Sequence, residues 1–147
     1  LNDLKRQLVK HGVFLVFVGL LTGLFITLMK NPRMGLAAHL EGLMAGMLLV
    51  LIGGCVWQYL NLSRKWTNIA YYLLLYSAYV TWAGTLLGAL LGTSRSTPIA
   101  GAGFSAPEWQ EAFISLFLLS EVAAILVFFC LLLYGLRGKG NSQLPPA

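Results

Sequence analysis

Charge is what this sequence has least of. Only 10% of its 147 residues are Asp, Glu, Lys or Arg, against 58% hydrophobic residues and a mean hydropathy of +0.76. An ordinary soluble domain carries about 25% charged residues, so that class is excluded. Cysteine is also scarce. Cys55 and Cys130 stand alone inside apolar runs with no CxxC spacing, which excludes a disulfide framework or zinc ribbon and predicts reduced, packed thiols. No G-x-G-x-x-G, P-loop or CxxCH occurs, so neither a nucleotide nor a covalently attached c-type haem is expected. The formal net charge is +5, but the ten Lys and Arg residues sit at the ends of apolar runs and form no basic face interleaved with aromatics. Nucleic acid is therefore not an expected partner.

What the sequence does have is four apolar runs, at about 11–29, 36–60, 68–91 and 109–136, each near the roughly 20 residues that cross a bilayer. Backbone groups in lipid must be satisfied within each run, which favours helix throughout. The expected fold is an all-α integral membrane four-helix bundle, one domain over residues 1–138 followed by a disordered polar tail at 139–147. No small-residue cleavage pattern follows Met29, so the first run is expected to stay in the protein. The chain begins with Leu rather than Met, and a few native residues are expected upstream. Lys5, Arg6, Lys10, Arg64, Lys65, Arg137 and Lys139 would share one side, and Lys30, Arg33 and Arg95 the other. The excess places both termini in the cytoplasm of a bacterial-type inner membrane.

The stretch NPRMGLAAHLEGLMAG, residues 31–46, carries His39 into the second run. A polar group there is costly and raises the prior for function. Gly35, His39, Gly42 and Gly46 fall at i−4, i, i+3 and i+7 on one helical face, a strip nearly bare of side chains around one imidazole. Two readings stay open. A flat ring could lie against Gly42 and Gly46 with His39 as the axial ligand of its iron, since haem needs only one protein ligand. Alternatively, His39 hydrogen-bonds a neighbouring helix and the glycines simply pack, as Gly19 and Gly23 or Gly84, Gly88 and Gly92 would. Zinc is a poor fit to a single histidine. Arg33 and Arg95 lie on the side of His39, where they could pair with propionates or serve as flanking charges. His11 is expected almost a full membrane thickness away, too far for a second axial ligand. Glu41 could reach water or an arginine; Glu121, near the middle of the fourth run, calls for a proton, a cavity or a cofactor. Tyr72, Tyr76 and Tyr79 form an aromatic row followed by Thr81, Trp82 and Thr85, a packing or interfacial stripe whose outer half lies near the depth of His39. The loop TSRSTPIAGAGFSAP is long enough to act as a lid.

The segments HGVFLVFVGLLTG, KNPRMGLAAHLEGLMAG, GTSRSTPIAGAGF and PEWQEA together resemble the hydroxylaminobenzene mutases, small membrane enzymes that turn an aryl hydroxylamine into an aminophenol. AHLEGLMAG also resembles a helix of the styrene oxide isomerases, which use ferric haem b as a Lewis acid. The resemblance implies a haem-dependent, redox-neutral isomerase that polarises the N–O bond of hydroxylaminobenzene and yields 2-aminophenol, with His39 on the iron. Gly42, Gly46, Ala45, Tyr79, Trp82, Arg33 and Arg95 would surround the cofactor; Glu41, Glu121 and Thr81 would serve catalysis. The isomerase pattern has Asn where this chain has Ala45, and the mutases tend to have Asn where it has Thr81. An aromatic hydroxylamine and the lipid bilayer are the implied partners, and a homo-oligomer, by resemblance a trimer, is expected. The alternatives are an epoxide isomerase of the styrene oxide type and a non-enzymatic haem-binding membrane subunit.

Overall fold

A computed structural model describes residues 2–137. Four helices carry the chain: α1 (Asn2–Leu24), α2 (Pro32–Leu51), α3 (Arg64–Leu91) and α4 (Glu108–Gly135). Each is long and apolar enough, by length and composition, to cross a membrane. The helices alternate in direction, and each packs mainly on the next in sequence. At one end the amide of Asn61, just before α3, donates to the Gly135 carbonyl at 3.0 Å, so the start of α1 and the end of α4 lie at the same end of the bundle. The expected tail at 139–147 lies outside the described residues.

The helix bounds differ from the apolar runs for a physical reason. Hydropathy marks what an apolar surrounding tolerates, whereas helix extent is set by backbone hydrogen bonds and caps. Thus α1 begins nine residues before the apolar run and includes Lys5, Arg6 and Lys10. It stops at Leu24, and a single 3₁₀ turn, Ile26–Leu28, leads to the connection. Helix α2 starts early because Asn31 caps it: its side-chain oxygen accepts from the Met34 amide at 3.2 Å, and Pro32 takes the first helical position. At its other end α2 widens into a π turn at Ile52–Val56 and tightens at Trp57–Tyr59.

Close approach of α1 and α2 sets the architecture. A Cβ placed on Gly12 would lie 2.6 Å from the Gly46 carbonyl oxygen, and one on Gly46 would lie 2.7 Å from the Gly12 oxygen. Further along, a Cβ on Gly42 would be 2.8 Å from the Gly19 Cα. These distances leave no room for any side chain, so the two backbones touch. Helix α3 lies against α2 through Trp82 at Gly42 and Met34 at Gly88, and α4 meets α3 where Leu118 covers Gly84. The main core, including Leu15, Leu49, Trp57, Leu74 and Phe128, fills the half nearer the termini. Cys55 and Cys130, expected to be packed, are free and exposed. Replacing Gly46 with Leu must force α1 from α2, and overpacking of this kind costs roughly 1–3 kcal/mol. The expected outcome is a lower unfolding temperature in detergent for Gly46→Leu and none for Gly54→Ala, since a Cβ on Gly54 meets nothing within 4 Å.

Candidate active site

His39 projects from α2 towards α1. Its Nδ1 lies 2.7 Å from the Gly19 carbonyl oxygen, and its ring lies over Gly23, where an added Cβ would come within 2.7 Å of Nδ1. A carbonyl oxygen only accepts, so Nδ1 carries a proton and donates. This is the second of the two arrangements open from the spacing: a histidine bonded to a neighbouring helix, with glycines packing around it.

That geometry corrects the expectation of ferric haem b. Among the described residues, no group of three or more His, Cys, Asp or Glu is gathered that could hold a metal ion. The bare strip at Gly42 and Gly46 is filled by the α1 backbone at Gly19 and Gly12 and by Trp82 and Val16. A flat macrocycle does not fit where two backbones are in contact. The other residues expected around it are also engaged elsewhere. The Tyr79 hydroxyl bonds Nδ1 of His11 at 2.9 Å, at the level of Gly46 rather than of His39. Trp82 Nε1 donates to the Thr22 hydroxyl at 3.1 Å, and Ala45 packs against the main core. Arg33 donates to the Ala102 carbonyl and lies 6.0 Å from the centre of the Phe104 ring. Arg95 pairs with Glu108 at 2.6 Å. His11 lies eight to twelve residues along α1 from the level where His39 docks. That is about 12–18 Å, or roughly half a membrane thickness, shorter than expected because α1 begins well before the apolar run.

The loop after α3 is latched rather than free. The Glu111 carboxylate, 6% exposed, accepts from the amides of Ser94 at 3.0 Å, Arg95 at 2.9 Å and Ala106 at 3.2 Å, so one side chain of α4 holds both ends of residues 92–107. From the other side Asn31 Nδ2 donates to the Ala100 carbonyl at 2.9 Å, and Lys30 Nζ donates to the Leu91 carbonyl at 3.0 Å at the end of α3.

The acids expected to carry chemistry are placed on the other side of α2. Residues two apart on a helix are rotated by about 200°, so Glu41 points away from His39 and towards α3 and α4. Thr85 of α3 and Glu121 of α4 are polar side chains in its neighbourhood. Oε2 of Glu41 is buried without a hydrogen-bond partner, the one acid oxygen in that condition among the described residues. Thr81 lies one turn from Thr85 on α3; Gly84 packing on Leu118 sets it level with Glu121. Glu41 thus lies on the α3 side of α2, while His39 lies on the α1 side. Thr85 was visible from the sequence only as a member of the aromatic stripe. Its signal was the spacing of four from Thr81, which repeats a hydroxyl on one face.

The family profile for styrene oxide isomerase matches residues 4–137. The chain belongs to that family. Two relatives from Ectopseudomonas oleovorans are similar over nearly its whole length. Hydroxylaminobenzene mutase HabB is 37% identical over 148 residues, covering 98% of this chain and 90% of that protein. Hydroxylaminobenzene mutase HabA is 36% identical over 134 residues, covering 90% of this chain and 98% of that protein. No solved structure matches the chain. Membership supports the expected enzyme class, isomerase, and the reading as a non-enzymatic subunit falls away.

Removing the Glu111 carboxylate should release the loop while leaving the helices in place. In Glu111→Ala, amide hydrogen exchange at Ser94, Arg95 and Ala106 is expected to quicken by about tenfold or more, since each amide loses its acceptor. Glu108→Ala, which breaks an exposed ion pair, should leave those rates nearly unchanged.

Proposed function

We propose that the protein is a membrane-embedded mutase that rearranges an aryl hydroxylamine of the hydroxylaminobenzene type to a 2-aminophenol, by proton transfer at the acid pair Glu41 and Glu121. The substrate class rests on the two mutases to which the chain is similar over nearly its full length. The membrane placement rests on the four apolar helices. Lys5, Arg6, Lys10, Arg64 and Lys65 gather at the end shared by the termini, which makes that end cytoplasmic.

One observation carries the mechanism: a buried carboxyl oxygen, Glu41 Oε2, with no hydrogen-bond partner among the described residues. Burying such a group costs free energy, and it persists where a ligand or a reaction uses it. Glu41 in its acid form donates a proton to the hydroxylamine oxygen. The N–O bond then breaks heterolytically, releasing water and leaving a cation delocalised over nitrogen and ring. Glu121 of α4 is the second carboxyl placed to stabilise that charge. Water adds at the ortho carbon, the excess proton returns to Glu41, and transfer of the ortho C–H proton to nitrogen restores the aromatic ring. Product and substrate are isomers, so no electron donor or acceptor enters. The family profile favours one further reading, acid opening of an aryl epoxide at the same carboxyl.

Purified protein in lipid should convert hydroxylaminobenzene anaerobically without added reductant. Glu41→Gln keeps the shape but cannot donate an acidic proton, and kcat is expected to fall by about 10²-fold or more. Unchanged turnover in this variant would sink the acid role of Glu41. Turnover of styrene oxide alone would decide for the epoxide reading. The protein should also remain with the membrane fraction after an alkaline carbonate wash.

A further inference from the structure

The positive charges at the two ends of the bundle are used differently. At the loop end each basic side chain is engaged within the chain: Lys30 donates to the Leu91 and Ser105 carbonyls, Arg33 donates to the Ala102 carbonyl, and Arg95 pairs with Glu108. At the end shared by the termini, Arg6 and Lys10 of α1 are exposed and form no ion pair among the described residues. The one acid on α1, Asp3, lines a separate hollow with Arg64 and Asn68. Arg6, Lys10, Val13 and Phe17 fall at i, i+4, i+7 and i+11, on one stripe of α1 turned away from the seam at Gly12 and Gly19. Along that stripe Val9, Lys10, Val13, Phe14 and Phe17 line a shallow groove of about 520 Å³. Val13, Phe14 and Phe17 are each more than half exposed, so no other helix of this chain covers the groove.

We propose that this stripe is a docking site for an anionic phospholipid, its phosphate at Arg6 and Lys10 and one acyl chain lying along Val13, Phe14 and Phe17. The inference rests on the membrane placement proposed above. From Lys10 to Phe17 the helix rises about 10 Å, so the cations stand at the boundary and the groove runs from them into the apolar layer. A lysine stem lies along apolar surface while its ammonium reaches the headgroups. Charge complementarity selects the occupant. Two positive charges without a carboxylate partner match a headgroup of net negative charge, whereas a choline headgroup would bring a further positive charge beside them. Free phosphate would meet the cations and leave the groove unused. A second copy is a poor occupant, because copies share one orientation in the membrane. A two-fold contact through this stripe would set Arg6 and Lys10 of both copies against each other.

The experiment places the full chain in phosphatidylcholine bilayers with a trace of phospholipid that carries a photoreactive group on one acyl chain. The probe is either phosphatidylglycerol or phosphatidylcholine, and labelled residues are mapped by mass spectrometry. The phosphatidylglycerol probe is expected to label Val13, Phe14 or Phe17, and the phosphatidylcholine probe to label them at least about fivefold less. Lys10→Gln should lower labelling by phosphatidylglycerol about fivefold, and the double variant Arg6→Gln, Lys10→Gln by more, with the wild-type preference weakening at high salt. Lys65→Gln removes a charge at the same end but off the stripe and should change nothing. Val13→Trp fills the groove, leaves both charges in place and should abolish labelling at Phe17. Added inorganic phosphate should not displace the probe. Equal labelling by the two probes, or unchanged labelling in the double variant, overturns the site. Displacement by phosphate, persistence in Val13→Trp, or cross-linking of the stripe to a second copy also overturns it. Release of the protein by the carbonate wash would overturn the membrane placement and this site together; a retained protein with headgroup-independent labelling overturns this site alone.

Discussion

Contact between the backbones of α1 and α2, with no side chain between them, is the constraint on which the rest of the structure depends. Four glycines make it, Gly12 and Gly19 on one helix and Gly42 and Gly46 on the other. Because both faces lack Cβ atoms, the helices approach until carbonyl and Cα atoms touch, and dispersion contacts are made along the whole seam. The same approach brings the Gly19 carbonyl within reach of His39 and gives its ring a seat on Gly23. It also leaves α2 with one remaining polar direction, the side away from α1, where Glu41 meets α3.

Helix α3 is the element through which the two halves communicate. It is hydrogen-bonded to α1 at three heights: Tyr71 donates to Gln7, Trp82 donates to Thr22, and the Tyr79 hydroxyl pairs with His11. Its other flank carries Gly84, covered by Leu118 of α4. The loop that follows is held at both ends by Glu111, so the end of α3 has a defined position relative to α4. A reaction that develops positive charge on an aromatic ring needs an acid and a counter-charge at fixed separation in a place poor in water. Glu41 and Glu121, on helices joined only through α3, are arranged to supply those two parts under the mechanism proposed here.

His39 shows how a correct pattern leads to an incorrect ligand. The glycine strip around it is real and lies on one helical face, yet it is occupied by another glycine-bearing helix instead of a planar ring. From one helix alone the two cases look alike, because both demand absence of side chains at i+3 and i+7. What separates them is the partner: Gly12 and Gly19 on α1 meet Gly46 and Gly42 on α2. Arg33 and Arg95, equally suited by position to bind an anionic group, are taken up by the Ala102 carbonyl and by Glu108. A flanking charge near a loop finds the carbonyls and carboxylates that the loop itself brings.

The sequence by itself determined the number of helices, their apolar character, the alternation that puts both ends of the chain together, and the short list of residues with chemistry in them. Those follow from composition and period, since hydropathy and a 3.6-residue repeat are local properties. Only the tertiary structure decided which of those residues meet. That His39 and Glu41 face opposite ways was already implied by their spacing, but that one docks on Gly19 and the other has a buried, unpartnered oxygen depends on the relative height of the helices. Height is set by contacts between residues far apart in the chain, Gly12 with Gly46, Met34 with Gly88, Gly84 with Leu118, and no local period encodes it.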